Sequence, residues 1–190
     1  MKEILMSIRP QWCEKIFNGS KTIEVRKSRP SIDMPFKVYV YQTKHKGGKA
    51  IVSEVLNSVY GGGKVIGSFV CDRIDKYTFS NYEARYRIND VDIAKTCLTH
   101  PELIAYGKEK PLYGWHITEP KLFDKPRELR EFYTKCDKTG DCECEDCLHL
   151  QVVLSSYPCD DDVYTWCGVD NKKPISRPPQ SYCFVETDEK

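Results

Sequence analysis

Three side chains able to hold a polar ligand, Lys21, Glu24 and Arg26, fall within six residues in the run Gly19-Ser20-Lys21-Thr22-Ile23-Glu24-Val25-Arg26. Lys21 offers a compact ammonium and Arg26 a planar fork of donors, both suited to phosphate. Glu24, when ionised, only accepts, so it suits an exocyclic amine or a ribose hydroxyl. An ordinary surface ion-pair ladder has the same composition and contributes little to folding. The second concentration of chemistry is CDKTGDCECEDC, from Cys136 to Cys147. Its C-x-x-C of Cys144 and Cys147 suits two thiolates converging on one ion, with Cys136 (or Cys142) and Cys167 arriving from separate arms to complete a tetrahedral set. One structural zinc ion is the expectation, because all-sulfur tetrahedral sites without redox demand favour it. A disulfide set is the alternative, and it belongs to an oxidising compartment.

Elements with legible boundaries must position these groups. Met6-Ser7-Ile8 ends a strand, Pro10 opens a helix over Gln11 to Asn18, and Gly19 stops it in the left-handed region. From Thr22 to Arg26 the period is two, which sends Ile23 and Val25 to the core and Thr22, Glu24 and Arg26 to the opposite, polar face. Further strands are predicted over Phe36–Gln42, Val65–Asp72 and Tyr113–Thr118, the last ended by Pro120. Helices are predicted over Val91–Thr99 and Pro101–Lys108, with Thr99 as a cap, over Pro126–Tyr133, and briefly over Ser53–Tyr60. The last of these sits in a long loop whose Lys44, Lys46 and Lys49 could form a local basic rim. Tyr41 or Trp115 is positioned to offer a stacking surface, and Cys13, Cys71 and Cys97 read as small core residues.

The run from Gly19 to Arg26 resembles the G-x-K-x-x-E-x-R signature of the ASCH domain, the activating-signal-cointegrator homology family of the PUA-like superfamily. The Ser7-Ile8-Arg9-Pro10 segment, the Trp115-His116-Ile117 strand and the closing Arg177-Pro178-Pro179-Gln180-Ser181 segment are similar to longer phage- and Firmicute-type members. The resemblance implies a small β-barrel whose motif lines a cleft for RNA. It also implies an alternative, since certain small relatives are amidohydrolases of acetylated cytidine that use a lysine and a threonine nucleophile. Glu24 stands at that threonine's position, and a carboxylate there pairs with Lys21 rather than turning it into a base. Thr22, or Glu24 itself as a base in ribonuclease-like chemistry, would then be the catalytic candidates beside Lys21.

At 190 residues and 40% hydrophobic, the chain can bury one core with a small appendage. A net charge of +1 provides no global basic field, so any nucleic-acid site has to be a local patch. No apolar run is long enough to span a bilayer and no signal-peptide pattern opens the chain, which predicts a cytoplasmic protein. The expected architecture is a single α+β, PUA-like domain over 1–190: a small mixed β-barrel with flanking helices. A cysteine-rich insertion over 134–175 precedes a closing strand near 181–186. Its expected partner is RNA or a modified nucleoside, held by Lys21, Glu24, Arg26, Lys44, Lys46, Tyr41 and Trp115. A hydrolase and a non-catalytic protein-interaction module are the competing readings.

Overall fold

The computed structural model describes residues 3–44, 51–53, 58–60, 62–135, 150–153, 164–167 and 172–187. In chain order, β1 (Glu3–Ile8) leads into α1 (Pro10–Phe17), followed by β2 (Ile23–Arg26), β3 (Phe36–Gln42), β4 (Ile51–Ser53) and β5 (Ser58–Tyr60). Next come β6 (Lys64–Tyr77), β7 (Phe79–Ser80), β8 (Arg85–Tyr86), α2 (Asp90–Thr96), α3 (His100–Gly107) and β9 (Leu112–Arg127). A 3-10 turn (Leu129–Glu131) precedes β10 (Tyr133–Lys135), β11 (Leu150–Val153), β12 (Tyr164–Cys167), β13 (Lys172–Pro174) and β14 (Tyr182–Val185). None of the described helices is long and apolar enough to cross a membrane.

The core is one mixed six-stranded sheet in the order β14-β1-β3-β6-β9-β2, with β1 and β3 parallel and the other pairs antiparallel. The expected closed barrel is not formed: β14 and β2 end the sheet and do not pair with each other. Beyond β2 lies a helix instead of a strand. The Thr22 amide donates to the Lys95 carbonyl and Lys21 Nζ to the Thr96 carbonyl, so the last turn of α2 takes up donors beside the sheet edge. β6 and β9 pair with three register shifts, which bend the sheet without closing it.

Several predicted boundaries move for physical reasons. β9 runs on past Pro120 because the partner register breaks there and Glu119 takes a positive φ of 49°, so no ladder donor is demanded of the proline. Within residues 126–133 the expected helix is reduced to the 3-10 turn, since Arg127 is still held in the β9 ladder opposite Val65. The short helix expected over 53–60 is replaced by the β4–β5 pair, in which Val52 faces Val59. Residues 54–57 lie outside the described set. Thr99 does cap α3, through a reciprocal capping box with Glu102.

One face of the sheet packs Ile4, Met6, Ile8, Val38, Val40, Phe69 and Trp115 against Cys13 and Ile16 of α1. The other packs Leu5, Tyr39, Tyr41 and Val65 against Phe132, Ile175 and Val185. Cys13 and Cys71 are buried as expected, whereas Cys97 is half-exposed in the left-handed cap of α2. Burial pushes the Cys13 thiol far upward and the Cys71 thiol up to about 12. The unfolded chain releases these protons near the ordinary thiol range, about 8.5, while the folded chain retains them. Their contribution is therefore fully present below that range and is lost as pH rises toward the folded values. The urea midpoint should accordingly fall between about pH 7 and about pH 10, with a shallower fall in Cys71→Val than in the parent chain.

Candidate nucleic-acid site

β2 and the turn before it bring the three charged residues of the motif into one buried cluster. Lys21 Nζ lies 3.3 Å from Glu24 Oε2, and Arg26 Nη2 lies 3.0 Å from Glu24 Oε1, so one carboxylate joins both cations. Each cation also reaches a different element. Lys21 Nζ donates to the Thr96 carbonyl at 2.6 Å, and Arg26 Nη2 to the Ser7 carbonyl at 2.7 Å. Lys21 Nζ further sits 5.1 Å from the Trp12 ring centroid, over an indole supplied by α1. The polar face of β2 was expected to lie open, yet Lys21, Glu24 and Arg26 are 1%, 7% and 7% exposed. Their ion pairs are accordingly buried ones, with a large desolvation cost offset by geometry.

The cluster forms one wall of a cleft of about 530 Å³. Ser7, Arg9, Gln11 and Trp12 line it from β1 and α1, Leu98, Glu102 and Tyr106 from α3 and its approach, and Thr43 and Gln180 from two further segments. Arg9, Lys21 and Arg26 oppose Glu24 and Glu102, three basic groups to two carboxylates and so one formal positive charge in surplus. Glu102 is already engaged by the amide and hydroxyl of Thr99, which hold its carboxyl below the usual range. Arg26 Nε is buried and has no hydrogen-bond partner among the described residues, although Nη2 of the same guanidinium is held by Glu24 and the Ser7 carbonyl. Burial raises the Tyr106 hydroxyl, with smaller opposing effects from Arg26 and Glu24, and the phenol therefore stays a neutral donor at the rim.

The other predicted residues are distributed elsewhere. Trp115 is fully buried in the core, edge-on to Phe36 and against Tyr182, and offers no face to a ligand. Tyr41 and Lys44 line a second cavity of about 680 Å³. Thr22 does not share the cleft with Lys21: it lines a third cavity, of about 380 Å³, with Asp72, Arg73, Lys95, His116 and Thr118. His116 there meets Asp75 at 2.7 Å and Arg73 at 2.9 Å, a contact no sequence spacing announced. A lysine whose ammonium hydrogens go to Glu24 and the Thr96 carbonyl, with the threonine in another cavity, does not form a lysine-activated nucleophile. Lys46, Cys136, Cys142, Cys144 and Cys147 lie outside the described residues, and Cys167 is described only as backbone in β12. Among the described residues no three His, Cys, Asp or Glu side chains converge as a metal site. Sequence reasoning passed over Arg9, Trp12 and Tyr106 as cleft residues; the Arg-Pro preceding α1 was the available signal for the first.

The ASCH domain family model matches residues 6–127. No curated protein matches the chain significantly. Among solved structures, ASCH from Zymomonas mobilis is 19% identical, with a TM-score of 0.45 over 67% of this chain and 74% of that one. A point-mutant form of the same protein, ZmASCH, is 17% identical, with a TM-score of 0.47 over 68% of this chain and 77% of that one.

Removing the shared carboxylate leaves two cations buried without their partner. Glu24→Ala should cost about 3–5 kcal/mol in guanidinium unfolding. Lys21→Met keeps the Glu24 to Arg26 pair and should cost less, about 1–3 kcal/mol for the Thr96 carbonyl left without its donor.

Proposed function

Because the chain belongs to the ASCH domain family, whose general association is with RNA, we propose that its cleft binds one unpaired nucleotide of RNA. The observation that carries this reading is the surplus of positive charge in a cavity that also presents an unpartnered, buried Arg26 Nε and two aromatic walls. A phosphate suits Arg9 and Arg26, and the exposed rim makes Arg9 the steering charge. A base suits the partly exposed ring of Tyr106 at the rim, where stacking tolerates any of the four bases. Glu24 is held by both of its cations and so serves the ligand indirectly, by fixing where those cations stand. Recognition through the stacking of an unpaired base favours a single strand over a duplex.

Arg9 and Tyr106 are exposed enough to be replaced without loss of the fold. Fluorescence anisotropy with mixed-sequence single-stranded RNA should show Tyr106→Ala weakened about fivefold or more, the loss of one stacking contact. Arg9→Ala should bind with a salt slope shallower by about 0.7. Unchanged affinity in both variants across a salt series would overturn the assignment. Purified protein should leave acetylated cytidine intact, as followed by chromatography of the nucleoside.

A further inference from the structure

The cleft does not end at its own walls. Thr43 lines both the cleft and the second cavity, so the two adjoin across one residue. The segment from Pro174 to Gln180 borders both as well, with Pro174, Ile175, Ser176 and Pro178 on the second cavity and Gln180 on the cleft. That segment is fastened along its length. The Ile175 amide donates to the Phe132 carbonyl at 2.9 Å, Ser7 Oγ to the Pro179 carbonyl at 2.6 Å, and the Ser7 amide to the Ser181 carbonyl at 3.0 Å.

The charges of the second cavity are not balanced internally. Glu128 is paired with Lys64 and closes the 3-10 turn with Glu131, so its carboxylate is occupied. Lys44 and Arg130 are exposed and have no ion pair or hydrogen bond among the described residues. Lys44 is nevertheless placed: its aliphatic stem lies on Gly63, where a Cβ would come within 2.8 Å of Lys44 Cε and where φ is +101°. At Gly62 a Cβ would fall 2.5 Å from the Thr43 carbonyl. Only glycine lets the chain run this close, and the result is a lysine stem packed along the cavity wall. Tyr41, largely buried, supplies the floor.

We infer that the second cavity receives the sugar-phosphate of the nucleotide adjoining the one in the cleft, with Lys44 and Arg130 as its phosphate partners. The ligand is then a single strand of at least two nucleotides, and a free nucleoside or mononucleotide fills only half of the binding surface. This rests on the RNA reading of the cleft and adds a length requirement to it.

The test compares a mixture of the four nucleoside 5′-monophosphates with 5′-phosphorylated, mixed-sequence RNA of two, four and six nucleotides, by titration calorimetry at several salt concentrations. Affinity should rise about tenfold or more from the monophosphates to the dinucleotides, and the Lys44→Ser/Arg130→Ser double variant should remove that gain. Its salt slope on the six-nucleotide RNA should be shallower by about 0.7, the one phosphate that Lys44 and Arg130 share. The monophosphate affinity serves as the internal reference for the cleft. If monophosphates bind and added nucleotides contribute nothing, or the double variant keeps the full length dependence, this inference falls and the cleft assignment stands. If neither monophosphates nor RNA of any length bind, the cleft assignment falls and takes this inference with it.

Discussion

A single buried carboxylate, that of Glu24, holds the functional end of this molecule together. A lone carboxylate at 7% exposure is costly, and so is each of two buried cations. The three become tolerable only as a set, because Glu24 bridges Lys21 and Arg26 through its two oxygens. Each cation then gives a further donor bond to a different part of the fold. Lys21 meets the carbonyl end of α2, where a cation is favoured by the helix dipole, and Arg26 meets the end of β1. The edge strand β2, its covering helix α2 and strand β1 are thereby referred to one another through one side chain.

On the proposed reading, that arrangement lets a chain of near-neutral net charge present a site for an anionic ligand. The basic groups are concentrated by position, and their geometry is set by the fold before any ligand arrives. Side chains held in this way lose little freedom on binding, so more of the interaction appears as affinity. On the proposed RNA reading, the exposed residues around them, Arg9 and Tyr106 at the cleft and Lys44 and Arg130 beyond it, supply reach and steering instead.

Local pattern made a good part of this legible. Pro10, the helix after it, Gly19 and the period of two from Thr22 located the motif and the elements that present it, since each depends on a few neighbouring residues. The capping box at Thr99 was legible on the same grounds. What pattern could not supply was the burial of both faces of β2. α2 and α3 begin only at Asp90 and His100, far later in the chain, and nothing in Thr22 to Arg26 states that they will cover its polar side. Trp115 was misjudged as a stacking surface for the converse reason: alternation assigns a face, and only the sheet's assembly decides that the face is interior. Pro120 was read as a terminator because its effect on a regular ladder is well defined, while the bulge that accommodates it belongs to the pairing with β6. The split of Thr22 from Lys21 into separate cavities likewise follows from β2 beginning at Ile23.

Ser7 carries a consequence for the order of events in the cell. Its carbonyl accepts from Arg26, its hydroxyl donates to Pro179 and its amide to Ser181, so one early residue secures both the motif and a segment 172 residues downstream. During synthesis from the N-terminus, the motif, α1 and the inner strands are all made long before that segment exists. Until it emerges, the cleft lacks the wall that Gln180 provides and β1 lacks its neighbour β14. A growing chain from which the segment after Pro174 has not yet emerged therefore does not yet possess the finished surface. Completion of the site coincides with completion of the sheet.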